Sequence, residues 1–502
     1  PLLMGIALLY CRFGELFPSF FRHSGMSLHR IIQYMVWSTE GIYGLVLGVS
    51  STYLFVFILL GAILDKTGLA GVINDIATSV AGQARGGPAK VAILASACMG
   101  TISGSAVANV ATTGTFTIPM MKKMGYSPSF AASVEAIAST GGMIMPPIMG
   151  AAAFLMAEYT GVPYSRIAVL AILPAILYFA GIYIAVHLEA KKLGLQGLDK
   201  DSLPKFSYLV KKLYLLAPLV VLVILVSNGT RTMQSSAAIA ILVTIVVGLF
   251  NSDNRISLGK IIDALEAGGK GTITVASACT MAGIVAGCIT STGLASKLLR
   301  AIVSASGGVM IIALLLTMVC CIVLGMGVPT TATYCIMAAT CAPILMSPEI
   351  GVEMLAAHFF VFYFGIVADI TPPVALAAYA GAAIAKAGPM KTAFNASRLA
   401  IAAFIVPYII AMNPAMLFIN TTIPEVVMIT ITSIIGIFGV AAGLSGFVFR
   451  DMKWWERILC IVGGLTLLVP GSLTDLIGLV LVGAVCVLGY QAAKKEKEML
   501  AA

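Results

Sequence analysis

Charge is scarce in this chain: Asp, Glu, Lys and Arg together make up 10% of its 502 residues, and only four histidines and three tryptophans occur. A soluble domain carries about 25% charged residues, so a soluble protein of this length is excluded. The histidines, His23, His29, His187 and His358, are scattered, and neither HExxH nor GxSxG is present, which leaves metal-dependent and serine-type hydrolysis without a motif. The ten cysteines lack CxxC or Cys/His spacing and lie mostly within apolar runs. They read as buried thiols, neither a disulfide framework nor a metal cluster. The net charge of +9 does not mark a nucleic-acid binder, because the basic residues fall in short stretches between apolar runs, as a positive-inside bias requires.

What the chain has in abundance is apolar sequence, 60% of its residues, together with 50 glycines. A membrane span needs about 20 apolar residues. The runs at 41–63, 167–187, 213–227, 237–250, 272–293, 399–419 and 426–449 are spanning candidates. The stretch 458–490, broken at Pro470-Gly471, is either a pair of short crossings or a hairpin.

Two further regions carry one grammar. Gly100-Thr-Ile-Ser-Gly-Ser-Ala-Val-Ala-Asn109 is followed by Pro119 and then by Gly141-Gly-Met-Ile-Met-Pro-Pro147. Gly325-Met-Gly-Val-Pro-Thr-Thr-Ala-Thr-Tyr334 is followed by Pro343 and, at nearly the same interval, by Gly365-Ile-Val-Ala-Asp-Ile-Thr-Pro-Pro373. Small residues follow each proline pair, Ala151-Ala152 and Ala377-Ala378. A duplicated pair of Gly/Pro-interrupted apolar segments points to a substrate and ion site near the bilayer midplane of a secondary transporter.

The lysines orient the two copies. Lys191, Lys192, Lys200, Lys205, Lys211 and Lys212 crowd 189–212 and place that loop in the cytoplasm. Counting crossings back from it sets the Gly100 motif between two cytoplasmic basic ends, Arg85/Lys90 and Lys122/Lys123, as a re-entrant hairpin. Counting forward brings the Gly325 hairpin in from the opposite side, near Glu349 and Glu353. The expected fold is an all-α polytopic membrane protein built as an inverted repeat, with two re-entrant hairpins, two broken helices and a cytoplasmic C-terminus.

Broken helices expose carbonyls that suit a bare cation and N-termini that suit an anion. Gly100, Gly104, Gly325 and Gly327 permit tight hairpin tips, and Pro146 and Pro372 leave preceding carbonyls without a donor. Ser103, Ser105, Thr330, Thr331 and Thr371 add neutral hydroxyl oxygens of the kind sodium takes, and Asn109 lies in the same motif. Such residues also serve spanning helices as packing and kink positions; what distinguishes these is their repetition in order. Among ionisable residues in apolar surroundings, Asp369 inside the second interruption reads as a site residue. Glu135 reads either as a coupling group or as a buried structural partner. Sodium and proton both remain open as the coupling ion, and a passive anion channel or a membrane-embedded enzyme are the rival functions.

At these motifs the chain resembles the large membrane subunit of tripartite ATP-independent periplasmic (TRAP) transporters, of the type in which small and large membrane subunits are fused. Residues 100–110, 138–154 and 369–374 carry the resemblance, which runs from about residue 30 to the end. It implies an elevator-type transporter of a bacterial or archaeal cytoplasmic membrane, taking up a small organic anion such as a carboxylate with a cation. It implies an extracytoplasmic solute-binding partner of the TAXI class, small-subunit-like helices ahead of residue 1, and no cofactor besides the coupling ion. Cation or substrate contacts carry over to Ser103, Gly104, Ser105, Gly141, Gly142 and Pro146, and to Gly325, Gly327, Thr330, Gly365, Thr371 and Pro372, with Na+ at Ser103, Gly141, Gly325 and Thr371. The implied organisation is a small-subunit tail and linker at 1–30, scaffold helices at 31–90, a first transport segment at 91–160, and scaffold and arm helices at 161–300. A second transport segment follows at 301–390, with C-terminal membrane helices at 391–502.

Overall fold

A chain surrounded by hydrocarbon must close its peptide hydrogen bonds internally, and the helix does so within one segment. The computed structural model describes residues 2–18, 21–228 and 231–501, and among them all regular structure is helical. Helices α1 (Leu2–Arg12), α2 (Leu28–Trp37), α3 (Leu45–Lys66) and α4 (Leu69–Ala81) lead to the first motif. That motif forms α5 (Gly87–Ser103), α6 (Ala106–Lys123), α7 (Pro128–Gly142) and α8 (Ala152–Thr160). Five helices connect it to the second: α9 (Tyr164–Lys192), α10 (Lys200–Ser227), α11 (Met233–Leu249), α12 (Leu258–Thr292) and α13 (Leu294–Ser306). The second motif forms α14 (Met310–Gly325), α15 (Thr330–Thr340), α16 (Met354–Val367) and α17 (Leu376–Ala385). The chain continues through α18 (Pro389–Leu399), α19 (Ile401–Met412), α20 (Ile423–Ser445), α21 (Trp454–Thr466) and α22 (Ser472–Ala501).

Among the described residues six helices are long and apolar enough to cross a membrane, namely α3, α9, α10, α12, α20 and residues 472–495 of α22; α18 and α19, bent by 41°, qualify as a seventh when taken together. Several boundaries differ from the sequence reading. The basic stretch 189–212 is largely helical: α9 runs to Lys192 and helix resumes at Lys200, with Lys212 paired to Asp253 at 2.7 Å. The run 237–250 becomes α11, whose 17 residues fall short of a full span. The run 399–419 stops as helix at Met412, because Asn413 caps a tight turn begun by Pro414. The stretch 458–490 is a helix-turn-helix, in which 13-residue α21 turns at Pro470-Gly471 into the longer α22.

The most buried elements are the first halves of the two interrupted helices. Every residue of α16 from Leu355 to Val367 is buried, and so is α7 from Ala131 to Gly142. A helix apolar on all sides belongs inside a helical assembly. Phe359, Phe360, Phe362 and Phe364 fill the space around α16, and Tyr408 of α19 packs edge-on to Phe360 and Phe364. At the other extreme, only 17% of the most apolar window of α22 is buried.

The two motif segments pack in the same manner and across one another. In each, the hairpin helices lie on the first half of the interrupted helix, α5 and α6 on α7, α14 and α15 on α16. The second halves are exchanged: α8 packs against α15 and α16, while α17 packs against α6 and α7.

Close approach within each segment is set by small residues. A Cβ on Gly100 would overlap the backbone of Gly142, so α5 and α7 touch main chain to main chain. The corresponding contact in the second segment joins Gly325 to Ala368, where an added Cβ would lie 2.9 Å from the alanine methyl. Gly100→Ala should therefore lower stability by about 1–3 kcal/mol through overpacking. Gly269→Ala in α12, where an added Cβ meets no atom within 4 Å, should raise stability by up to about 1 kcal/mol. Thermal unfolding of the purified variants in detergent reads both, and equal behaviour of the two would contradict the packing assigned to Gly100.

Candidate functional site at two hairpin tips and two helix breaks

The first tip is two residues long. Ser103 ends α5, Gly104 adopts the left-handed region at φ 60°, and Ser105 caps α6 by accepting from the Ala108 N–H at 3.4 Å. Ser103 Oγ donates to Ser105 O at 3.4 Å. Gly100 itself stays helical, a turn before the reversal, because α5 closes its Gly104 N–H onto Gly100 O. The tip is open, with Ser105 exposed, and it faces the break in its own segment: a Cβ on Gly104 would be 4.0 Å from Gly150 Cα.

That break starts at Met143, two residues after the motif opens. Gly141 and Gly142 remain in α7 and act as packing positions, since a side chain on Gly141 would strike the Tyr178 ring and one on Gly142 would strike Gly100. From Met143 to Ala151 the chain leaves the helix, includes a cis Pro146–Pro147 bond, and folds back so that Gly150 N–H donates to Met143 O at 2.7 Å. Tyr164 of α9 holds it, its hydroxyl donating to Pro147 O at 2.9 Å and accepting from Met149 N–H at 3.0 Å.

The second tip is longer, Met326 to Pro329, with Gly327 left-handed at φ 73° and facing Val374 of its own break. Thr330 and Thr331 are buried in the first turn of α15. Gly365 stays inside α16, and the break opens after Val367 with a short 3-10 turn carrying Asp369. Thr371 Oγ1 donates to Val367 O at 2.8 Å, and the Pro372–Pro373 bond is cis. Here too a tyrosine acts: the Tyr379 hydroxyl donates to Pro373 O, and Ser397 Oγ of α18 donates to Ile370 O at 3.2 Å.

The two segments meet at Thr330. Its Oγ1 lies 3.1 Å from Asp369 Oδ2 in its own segment and 3.8 Å from Met143 Sδ at the start of the first break. A line of contacts thus runs from Gly150 through Met143 to Thr330 and Asp369, with Gly104 of the first tip beside Gly150. Neutral hydroxyl and carbonyl oxygens predominate along it, with Asp369 the acidic group. Asn109 and Glu135 lie off it: Asn109 is buried a turn inside the first hairpin, donating to Ser96 O at 2.9 Å, and Glu135 is buried among hydroxyls two turns before the first break.

Sequence reading missed Tyr164 and Tyr379. Both bind the carbonyl of the second proline of a pair, but one follows its prolines by a loop and a helix and the other by a single turn, so no shared spacing announces them.

The family model of the tripartite ATP-independent periplasmic transporter DctM component matches residues 2–426, which includes both tips and both breaks. The C4-dicarboxylate TRAP transporter large permease protein DctM of Pseudomonas aeruginosa is 28% identical over 195 residues, 39% of this chain and 45% of that protein. The isethionate TRAP transporter permease protein DctMQ of Oleidesulfovibrio alaskensis is 24% identical over 376 residues, 74% of this chain and 56% of that one. The 2,3-diketo-L-gulonate TRAP transporter large permease protein YiaN of Escherichia coli is 30% identical over 148 residues, 29% and 34% of the two chains. These alignments span between a third and just over half of each relative's length. With the family model covering most of the chain, the protein belongs to the DctM component family of tripartite ATP-independent periplasmic transporters, a family of transporter components and not of enzymes.

Proposed function

We propose that this chain is the membrane permease of a secondary transporter that takes up a small organic anion with a coupling cation, the anion arriving on an extracytoplasmic solute-binding protein. The observation that carries the reading is the meeting of both breaks and the second hairpin tip at Met143, Thr330 and Asp369. Irregular backbone at membrane depth is tolerated where it is buried in protein or lines a water-filled cavity. Here it comes from two like-built segments and gathers hydroxyls, carbonyls and one carboxylate. The relatives' names support the class of solute, since C4-dicarboxylate, isethionate and 2,3-diketo-L-gulonate are all small anions.

In this reading the segments 91–160 and 301–390 are inverted copies that move together, elevator fashion, against the remaining helices of an inner membrane, with the C-terminus in the cytoplasm. The binding protein is of the TAXI class, and small-subunit-like helices complete the scaffold. Sodium is held at the tips and facing breaks, by Ser103 with carbonyls near Gly141 in one copy and by Thr371 with carbonyls near Gly325 in the other.

Uptake of labelled succinate into proteoliposomes tests the scheme. It should require both an inward cation gradient and a cognate extracytoplasmic solute-binding protein. Flux down the solute gradient alone, at full rate and without that protein, would convert the reading to a channel. Ser103→Ala and Thr371→Ala should each raise the half-saturating sodium concentration several-fold, roughly the effect of losing one oxygen partner worth about 1 kcal/mol. An unchanged sodium requirement in both variants removes these hydroxyls from the site.

A further inference from the structure

Glu135, away from the tips, has an arrangement of its own. It is fully buried on α7 between α5 and α6. Its Oε1 accepts from Ser96 Oγ of α5 at 2.6 Å, from Ser139 Oγ of α7 at 3.2 Å and from Thr113 Oγ1 of α6, while its Oε2 accepts from Thr117 Oγ1. Its Cγ and the Ile384 Cδ1 of α17 both lie beside Gly114 of α6, within 3.5 Å of where a side chain there would begin.

Among the described residues no cation pairs with it. Of the basic groups on the packed helices, Lys90 of α5 bonds His187 of α9, Lys122 of α6 bonds Ala385 O, Arg398 of α18 bonds Leu444 O, and Lys123 of α6 and Lys391 of α18 are exposed. Of the other titratable groups there, the buried Tyr363 hydroxyl has no partner among the described residues, and four bond away from Glu135. Tyr178 donates to Ile137 O, His358 bonds Tyr334, Tyr379 donates to Pro373 O, and Asp369 bonds Thr330.

An ionised carboxylate in a membrane interior is costly without a counter-charge. The four hydroxyls hydrogen-bond this carboxylate directly, a shell that a proton can join without displacing any of them. The shell can serve both forms. Each hydroxyl has one hydrogen and free lone pairs, and Thr113 and Thr117 also reach Asn109 O at 2.8 Å and Thr113 O at 3.1 Å. Turned to the carboxylate they donate to it; turned to those carbonyls they can accept from the protonated acid.

A polar face on α6 leads to the site. Ser105, Asn109, Thr113 and Thr117 recur every four residues and so share one side of the helix. Ser105 is exposed at the tip, and the buried Asn109 Oδ1 has no hydrogen-bond partner among the described residues, an acceptor waiting between tip and acid.

We propose that Glu135 is a proton-binding site loaded from the first hairpin tip along this face of α6. A proton taken from water converts the carboxylate from a charge of −1 to neutral, at the seam that joins the hairpin to the interrupted helix. Its part in the cycle rests on the transporter reading, whereas proton binding is measurable without substrate or partner protein. Infrared titration of the purified full chain from about pH 5 to about pH 9 reads it. The carboxylic-acid carbonyl band should fade as pH rises, persist in Asp369→Asn and be lost in Glu135→Gln. Thr117→Val, which removes a donor to the charged form, should raise the midpoint by about one pH unit and tests the site even where Glu135→Gln fails to fold. A band that is independent of pH, that survives in Glu135→Gln, or whose midpoint ignores Thr117→Val overturns the proposal.

Discussion

A peptide group at membrane depth must find a partner, and the architecture of this protein depends on how that demand is met where the helix stops. At both interruptions the partner is a side-chain hydroxyl from a different helix or a later turn. Tyr164 holds Pro147 and Met149, Tyr379 holds Pro373, and Ser397 holds Ile370. These bonds let the chain be irregular in an environment that otherwise enforces helix. They also fix where the remaining oxygens of the tips can be, because a break pinned at its second proline keeps one orientation toward its own hairpin.

Close packing supplies the second constraint. Without a hydrophobic effect between helices in lipid, association relies on close van der Waals packing of small residues. Gly100 against Gly142 and Gly325 against Ala368 bring each hairpin onto its interrupted helix at equivalent places, four residues before the prolines. Gly436, Gly443 and Gly464 do the same between α20 and α21, where added side chains would meet backbone carbonyls within 2.6–2.8 Å. Glycine thus serves two purposes here. At Gly104 and Gly327 it provides left-handed turns, and inside helices it provides room.

Much of this was legible. Hydropathy located the spans except at 237–250, which forms the shorter α11, and Gly/Pro order located both hairpins and both breaks to within a few residues. Helix ends were less so: α19 stops at Met412 because an asparagine cap and a proline act together in a stretch that is apolar to Phe418. The motif glycines Gly141, Gly142 and Gly365 looked like parts of the breaks but are helical, since sequence cannot distinguish a glycine that bends the chain from one that admits a neighbour. The partners of Glu135 were visible only in part. Ser139 follows it by one turn, but Ser96, Thr113 and Thr117 reach it from other helices, and pairing between helices leaves no trace in spacing.

The exchange of α8 and α17 has a consequence for how the two segments fold. Each of these short helices finishes the interior of the other segment and contributes little to its own, so a single segment on its own would present an unfilled groove and an unhoused helix. Two such units are each other's missing piece. Neither segment closes its interior until both have been made, and carrying them on one chain keeps each beside the helix it lacks.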